Sequence, residues 1–207
     1  MNIKSAMDTL PPGYIQTAEF NLRENAKLVL WLNIIGFVLF VFAALSVPVY
    51  IRYIRPQSAA GMFSFTINNL GEAGMIILVL LVDLIILVIL HEGTHGLCFW
   101  LLTGKRPVYN IGPGYAYAAA PNVFLKKFPY IVTAVSPLVV LTVVGMVLLP
   151  IIPDKLVFHT ALIMVMNIAG AVGDLWIVGM LITRREPLYI RDSGDKVEFF
   201  QIPYKPS

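Results

Sequence analysis

Residues 74–102 read "GMIILVLLVDLIILVILHEGTHGLCFWLL". As a helix rising 1.5 Å per residue, this stretch extends roughly 40 Å, enough to cross ~30 Å of hydrocarbon. It also carries an aspartate, two histidines and a glutamate, groups that are costly in lipid unless they have a task. The reading of this run as a membrane span fixes the class of the protein, and its polar residues point to the function.

The chain has 207 residues, of which 58% are hydrophobic and 13% charged, where a soluble domain carries about 25% charged residues. Three further runs, at 28–50, 128–152 and 156–183, are apolar over a membrane's thickness. The expectation is an all-α integral membrane protein of four spans, forming one membrane domain over 1–207 with no separate soluble domain. The first apolar run follows Asp8, Glu19 and Glu24 and is long for a signal peptide, so none is expected. The single cysteine, Cys98, excludes an internal disulfide.

With four spans both termini share one side of the membrane. That side receives Lys4, Arg23 and Lys27, then Lys105, Arg106, Lys126 and Lys127, then Arg184, Arg185 and Arg191. The other side receives Arg52, Arg55 and Lys155. The positive-inside rule puts both termini, the 103–127 loop and the 184–207 tail in the cytoplasm. Arg52 and Arg55 then read as headgroup anchors, and Asn33 and Ser136-Pro137 as packing or kink features.

The loop at 103–127, "TGKRPVYNIGPGYAYAAAPNVFLKK", is too rich in proline and glycine for a regular helix. It suits two extended, β-like segments about a Gly-Pro-Gly turn. In the tail, "PLYIRDSGDKVEFFQIP" suits a small hairpin about Ser-Gly-Asp.

Residues 91–95, "HEGTH", match the H-E-x-x-H pattern. His91 and His95 are four apart, so a helix puts both on one face, where two ring nitrogens can hold one zinc ion. Glu92, beside the first ligand, is placed to take a proton from an attacking water and return it to the leaving amine. Two buried histidines could instead be satisfied by backbone, but three ionisable groups within five residues of a span favour the metal.

Catalytic zinc needs a third protein ligand. His159 lies near the outer end of span 4, some 20 Å from the motif in depth, and reads as a boundary residue. Asp83 is eight residues, about 12 Å, from His91 on the same helix, and suits a polar contact to another helix or a water-filled cavity. Cys98 shares the His91 face, but three ligands stacked along one straight helix strain a tetrahedron, so a small core residue is its better role. Asp174 remains. It and Glu92 both stand roughly 15–20 Å inward of the cytoplasmic charges, on different helices.

Asp174 lies in "NIAGAVGDLW" (167–176), where Asn167, Gly170 and Asp174 share a face. The glycines would let another helix approach closely. Asn167 could bond a substrate carbonyl or developing oxyanion, or equally an amide partner on another helix.

"HEGTH" in one span and "NIAGAVGD" in a later one resemble the small bacterial membrane zincin-type peptidases. They are also similar, more broadly, to the site-2 class of intramembrane metalloproteases. The resemblance covers about residues 74–183. It implies zinc held by His91, His95 and Asp174 in a bacterial cytoplasmic membrane, and an asparagine in the same late motif. The glycine-aspartate-leucine of "VGDL" departs from the leucine-aspartate-glycine usual in site-2 proteases. The expected activity is zinc-dependent hydrolysis of peptide bonds in membrane-associated substrates. The expected partners are lipid and a membrane protein or peptide, with no nucleic acid. The competing expectations are a zinc-binding scaffold or chaperone without turnover, and a metal or proton transporter, for which Asp83 speaks.

Overall fold

The computed structural model describes residues 6–21, 24–59, 66–112, 115–184, 187–194 and 196–203. Lys4, Arg23, Arg185 and the Pro113-Gly114 turn of the loop lie outside these residues.

The apolar runs form helices wherever the backbone must satisfy its own polar groups, as a span in lipid requires. In chain order the elements are β1 (Ala6–Met7), β2 (Ile15–Asn21), α1 (Ala26–Ile54), α2 (Pro56–Ala59), α3 (Leu70–Thr103), β3 (Val108–Gly112), β4 (Tyr115–Lys126), α4 (Lys127–Leu148), α5 (Asp154–Gly170), α6 (Val172–Ile182), β5 (Leu188–Asp192) and β6 (Lys196–Gln201). Four stretches are long and apolar enough to cross a membrane: Ala26–Ile54, Leu70–Thr103, Lys127–Leu148 and Asp154–Ile182. These match the four expected spans, and the chain is built as a membrane protein.

Span 4 is not one helix. Asp154–Gly170 ends with the Ala171 N–H on the Asn167 carbonyl, and a new helix starts at Val172. Asp174 therefore sits in the first turn of α6, where exposed backbone N–H groups and the helix dipole favour a carboxylate.

The expected all-α class with two short β pieces understates the sheet. The sheet has six antiparallel strands: five run in the order β1-β4-β5-β6-β2, and β3 pairs with β4 off this path. The two anticipated hairpins are present: β3–β4, with Val108 opposite Ala119, and β5–β6, with Leu188 opposite Gln201. The addition comes from the N-terminal segment, whose β1 pairs with β4 and β2 with β6. These strands have no local signal strong enough to announce them; their hydrogen-bond partners lie more than a hundred residues away.

Two units can be distinguished, and the helices α1, α3 and α4 each contribute to both. The first contains the sheet with residues 92–103, 127–136 and 173–182. Its core joins Phe99, Tyr130 and Leu181 to the sheet residues Val123, Leu125, Ile190 and Phe199. Gly194, at φ +86°, leaves room for the Tyr117 ring, which a Cβ would overlap. That contact seats the β5–β6 turn on the β3–β4 hairpin.

The second unit comprises 34–91 and 137–172, with a core of Ala43, Val47, Ile51, Leu149, Val157, Ala161, Met164 and Val165. Gly145 lets Met164 pack against the α4 backbone: a Cβ there would stand 2.5 Å from Met164 Cγ. By contrast, a Cβ at Gly170 or Gly173 would meet nothing within 4 Å. The close approach expected at the "NIAGAVGD" glycines is made by a glycine of α1 instead: a Cβ at Gly36 would stand 3.4 Å from the Ala169 carbonyl oxygen and 3.5 Å from Val172 Cγ1. Arg55 is no simple headgroup anchor. It donates to the carbonyls of Leu149 and Ile152 at 3.1 and 2.5 Å and pairs with Asp154 at 2.5 Å, satisfying the end of α4.

Candidate metal centre

His91 and His95 lie one turn apart on α3, which runs unbroken through the motif. His95 Nε2 stands 3.3 Å from Asp174 Oδ1. One ligand-type atom from each of His91, His95 and Asp174 lies within 4.8 Å of the others. Zinc bonds of about 2.0–2.1 Å in a tetrahedron leave neighbouring ligand atoms about 3.3 Å apart. The His95–Asp174 spacing is the edge of such a tetrahedron, so the donor set fits the metal.

The orientation of each imidazole is set by its other nitrogen. His91 Nδ1 faces Asn167 Oδ1 at 3.0 Å. The Asn167 amide is fixed in turn, since its Nδ2 donates to the Pro137 carbonyl at 3.1 Å. Oδ1 can only accept, so His91 donates from Nδ1 and keeps Nε2 as its lone-pair nitrogen. His95 Nδ1 donates to the Thr133 carbonyl at 2.9 Å, with the same consequence. Metal-bound histidines are commonly held this way, with the second N–H on a carbonyl or amide oxygen.

Thr133 can accept because of proline. In α4 the Thr133 carbonyl would ordinarily take the N–H of residue 137, and Pro137 has none. The orphaned oxygen receives His95 Nδ1 and the Ser136 hydroxyl, the latter at 2.7 Å. Sequence reading noticed Ser136-Pro137 as a kink but missed Thr133. The signal was present: proline four residues after Thr133 advertises an unpaired carbonyl inside a span.

Two buried groups nearby were also missed. The Tyr130 hydroxyl donates to Asp192 Oδ2 at 2.6 Å, and the Gly194 N–H donates to Asp192 Oδ1 at 2.8 Å. Burial pushes the Asp192 carboxyl up to about 6, against the pull of these bonds and of His95; Asp174 pushes it further up.

The remaining candidates fall elsewhere. His159 Nδ1 lies 2.8 Å from Asp83 Oδ2, so these two residues of the second unit satisfy each other between α5 and α3. Asp83 thus has the interhelical contact expected of it, while His159 is a partner rather than a boundary residue. Cys98 is not in the ligand cluster.

A family model described as "Putative zincin peptidase" matches residues 84–189, just over half of the chain. The chain belongs to this family. The zincin peptidase match takes in His91, Glu92, His95, Asn167 and Asp174, and the family implies zinc as the metal for the His-His-Asp cluster. It ends inside β5, leaving β1, β2 and β6 outside it. No curated protein and no solved structure matches the chain.

Proposed function

We propose that the protein is a zinc peptidase that cleaves membrane proteins or membrane-associated peptides at or within the cytoplasmic half of the bilayer, by the strategy of site-2 proteases. The supporting observation is that both imidazoles are tied through Nδ1 while His95 Nε2 meets Asp174 at 3.3 Å. A zinc-binding scaffold would use the three ligand-type groups but has no need of a base, Glu92, beside them. The residue that spoke for transport, Asp83, is engaged by His159.

His91, His95 and Asp174 would hold the zinc, whose chemistry when bound is Lewis-acid activation of water at neutral pH. Glu92 takes a proton from the attacking water as the new C–O bond forms. It then delivers that proton to the amine nitrogen as the C–N bond breaks. Asn167 serves in this reading as the residue that positions His91. The unwound substrate adds as a strand along the edge of β3 that no described strand covers, beside α3, which holds the scissile peptide extended.

The test combines zinc analysis of detergent-purified protein with cleavage of a membrane-tethered reporter. Glu92→Gln should keep its zinc and lose about 10²–10⁴-fold in rate, while Asp174→Ala should lose zinc as well. Wild-type cleavage by Glu92→Gln would overturn the mechanism.

A further inference from the structure

Tyr109 lies on β3, and its side chain reaches the α3 backbone at Gly96. A Cβ at Gly96 would stand 2.6 Å from Tyr109 Cζ and would overlap the hydroxyl itself. Glycine at 96 is therefore what admits the phenol. Gly96 follows His95 directly and lies four residues, about 6 Å, beyond Glu92 on the same helical face. The Tyr109 hydroxyl accordingly rests on the Glu92 face, one turn further along.

This hydroxyl has no hydrogen bond among the described residues, and Tyr109 is 55% exposed. Four polar side chains described above are engaged with the protein itself. Asn167 bonds His91 and Pro137, Tyr130 donates to Asp192, the Thr133 hydroxyl donates to Pro129, and Ser136 donates to Thr133. Asn167, the residue whose sequence context suggested an oxyanion donor, has both ends of its amide occupied.

We propose that Tyr109 is a further catalytic residue, whose hydroxyl donates a hydrogen bond to the scissile carbonyl oxygen. The inference rests on the peptidase reading above. As the water oxygen bonds to the carbonyl carbon, the C=O π pair moves onto oxygen. Tyr109 stabilises that charge and keeps its own proton. When the pair returns and the C–N bond breaks, the amine leaves with the proton from Glu92. Because the phenol is carried by β3, a substrate aligned on that strand brings its carbonyl to the donor.

Tyr109→Phe removes the oxygen and retains the ring over Gly96. The expected result is a kcat lowered about 10²–10³-fold, with KM within twofold and full zinc content. A phosphinic peptide, whose tetrahedral oxygens imitate the charged intermediate, should bind more weakly by a similar factor. Binding of uncleaved substrate, compared between Glu92→Gln and the Glu92→Gln/Tyr109→Phe double variant, should not change. Gly96→Ala, which leaves the hydroxyl intact but displaces it, should reproduce the kcat loss. Wild-type kcat and phosphinate affinity in Tyr109→Phe, with Glu92→Gln inactive, would overturn the role of Tyr109 alone. Activity in Glu92→Gln would instead overturn the peptidase reading.

Discussion

Asn167 is 1% exposed, so both polar ends of its amide need partners within the protein. It resolves this by accepting from His91 and donating to the Pro137 carbonyl. Asn167→Ala should leave His91 Nδ1 without its partner and free the ring to rotate. Zinc affinity measured by chelator competition should fall about 10–100-fold, the usual effect of removing such a support; unchanged affinity would refute this role. At this scale His91, Glu92, His95 and Asp174 could be read from the sequence because few residue types can bind zinc or shuttle a proton, and the spans hold few of those. The partners of the ligands were less legible. Whether an amide meets a substrate or a histidine depends on how a helix is rotated, and that is decided by packing.

Elements differ in how locally they are encoded. The β3–β4 and β5–β6 hairpins were readable because turn residues and extended runs adjoin. The α5–α6 break was not: no proline marks Ala171, and the apolar pattern continues across it. β2 was equally hidden, since only Phe20 of "IQTAEFN" is buried and its partner is the last strand. The edge of β3 away from β4 carries a prediction of its own. The Ile111 N–H is bonded at 2.9 Å to the Asn110 side chain. Ile111→Pro removes that donor. If substrate adds along this edge, KM should rise about fivefold, the worth of roughly one hydrogen bond, with zinc content preserved. An unchanged KM would exclude strand addition at β3.

For the whole molecule, stability should depend on pH through the sheet. Burial raises the Asp192 carboxyl from 3.8 to about 6, so between these values the folded state binds more protons than the unfolded one. Its contribution is present below about pH 4 and is lost as pH rises through 6, on the order of 3 kcal/mol from a shift of about two units. Glu198 behaves oppositely: its bonds from Arg191, at 2.6 and 2.9 Å, lower its carboxyl and stabilise the fold at higher pH. Asp192→Asn should therefore gain on wild type in thermal unfolding as pH climbs from 4 to 6.5, and the gap should then stay level. A gap independent of pH would show that Asp192 does not titrate in this range. The same sheet also constrains how the protein can be made. Its closing contact joins Thr17 to the Phe199 carbonyl, 182 residues away. Chains emerge from the ribosome N-terminus first, so β2 exists as an unpaired strand throughout synthesis of every helix. The sheet can be completed only after residue 201 has been added, and closing so long a loop is slow. The second strand made waits for the last.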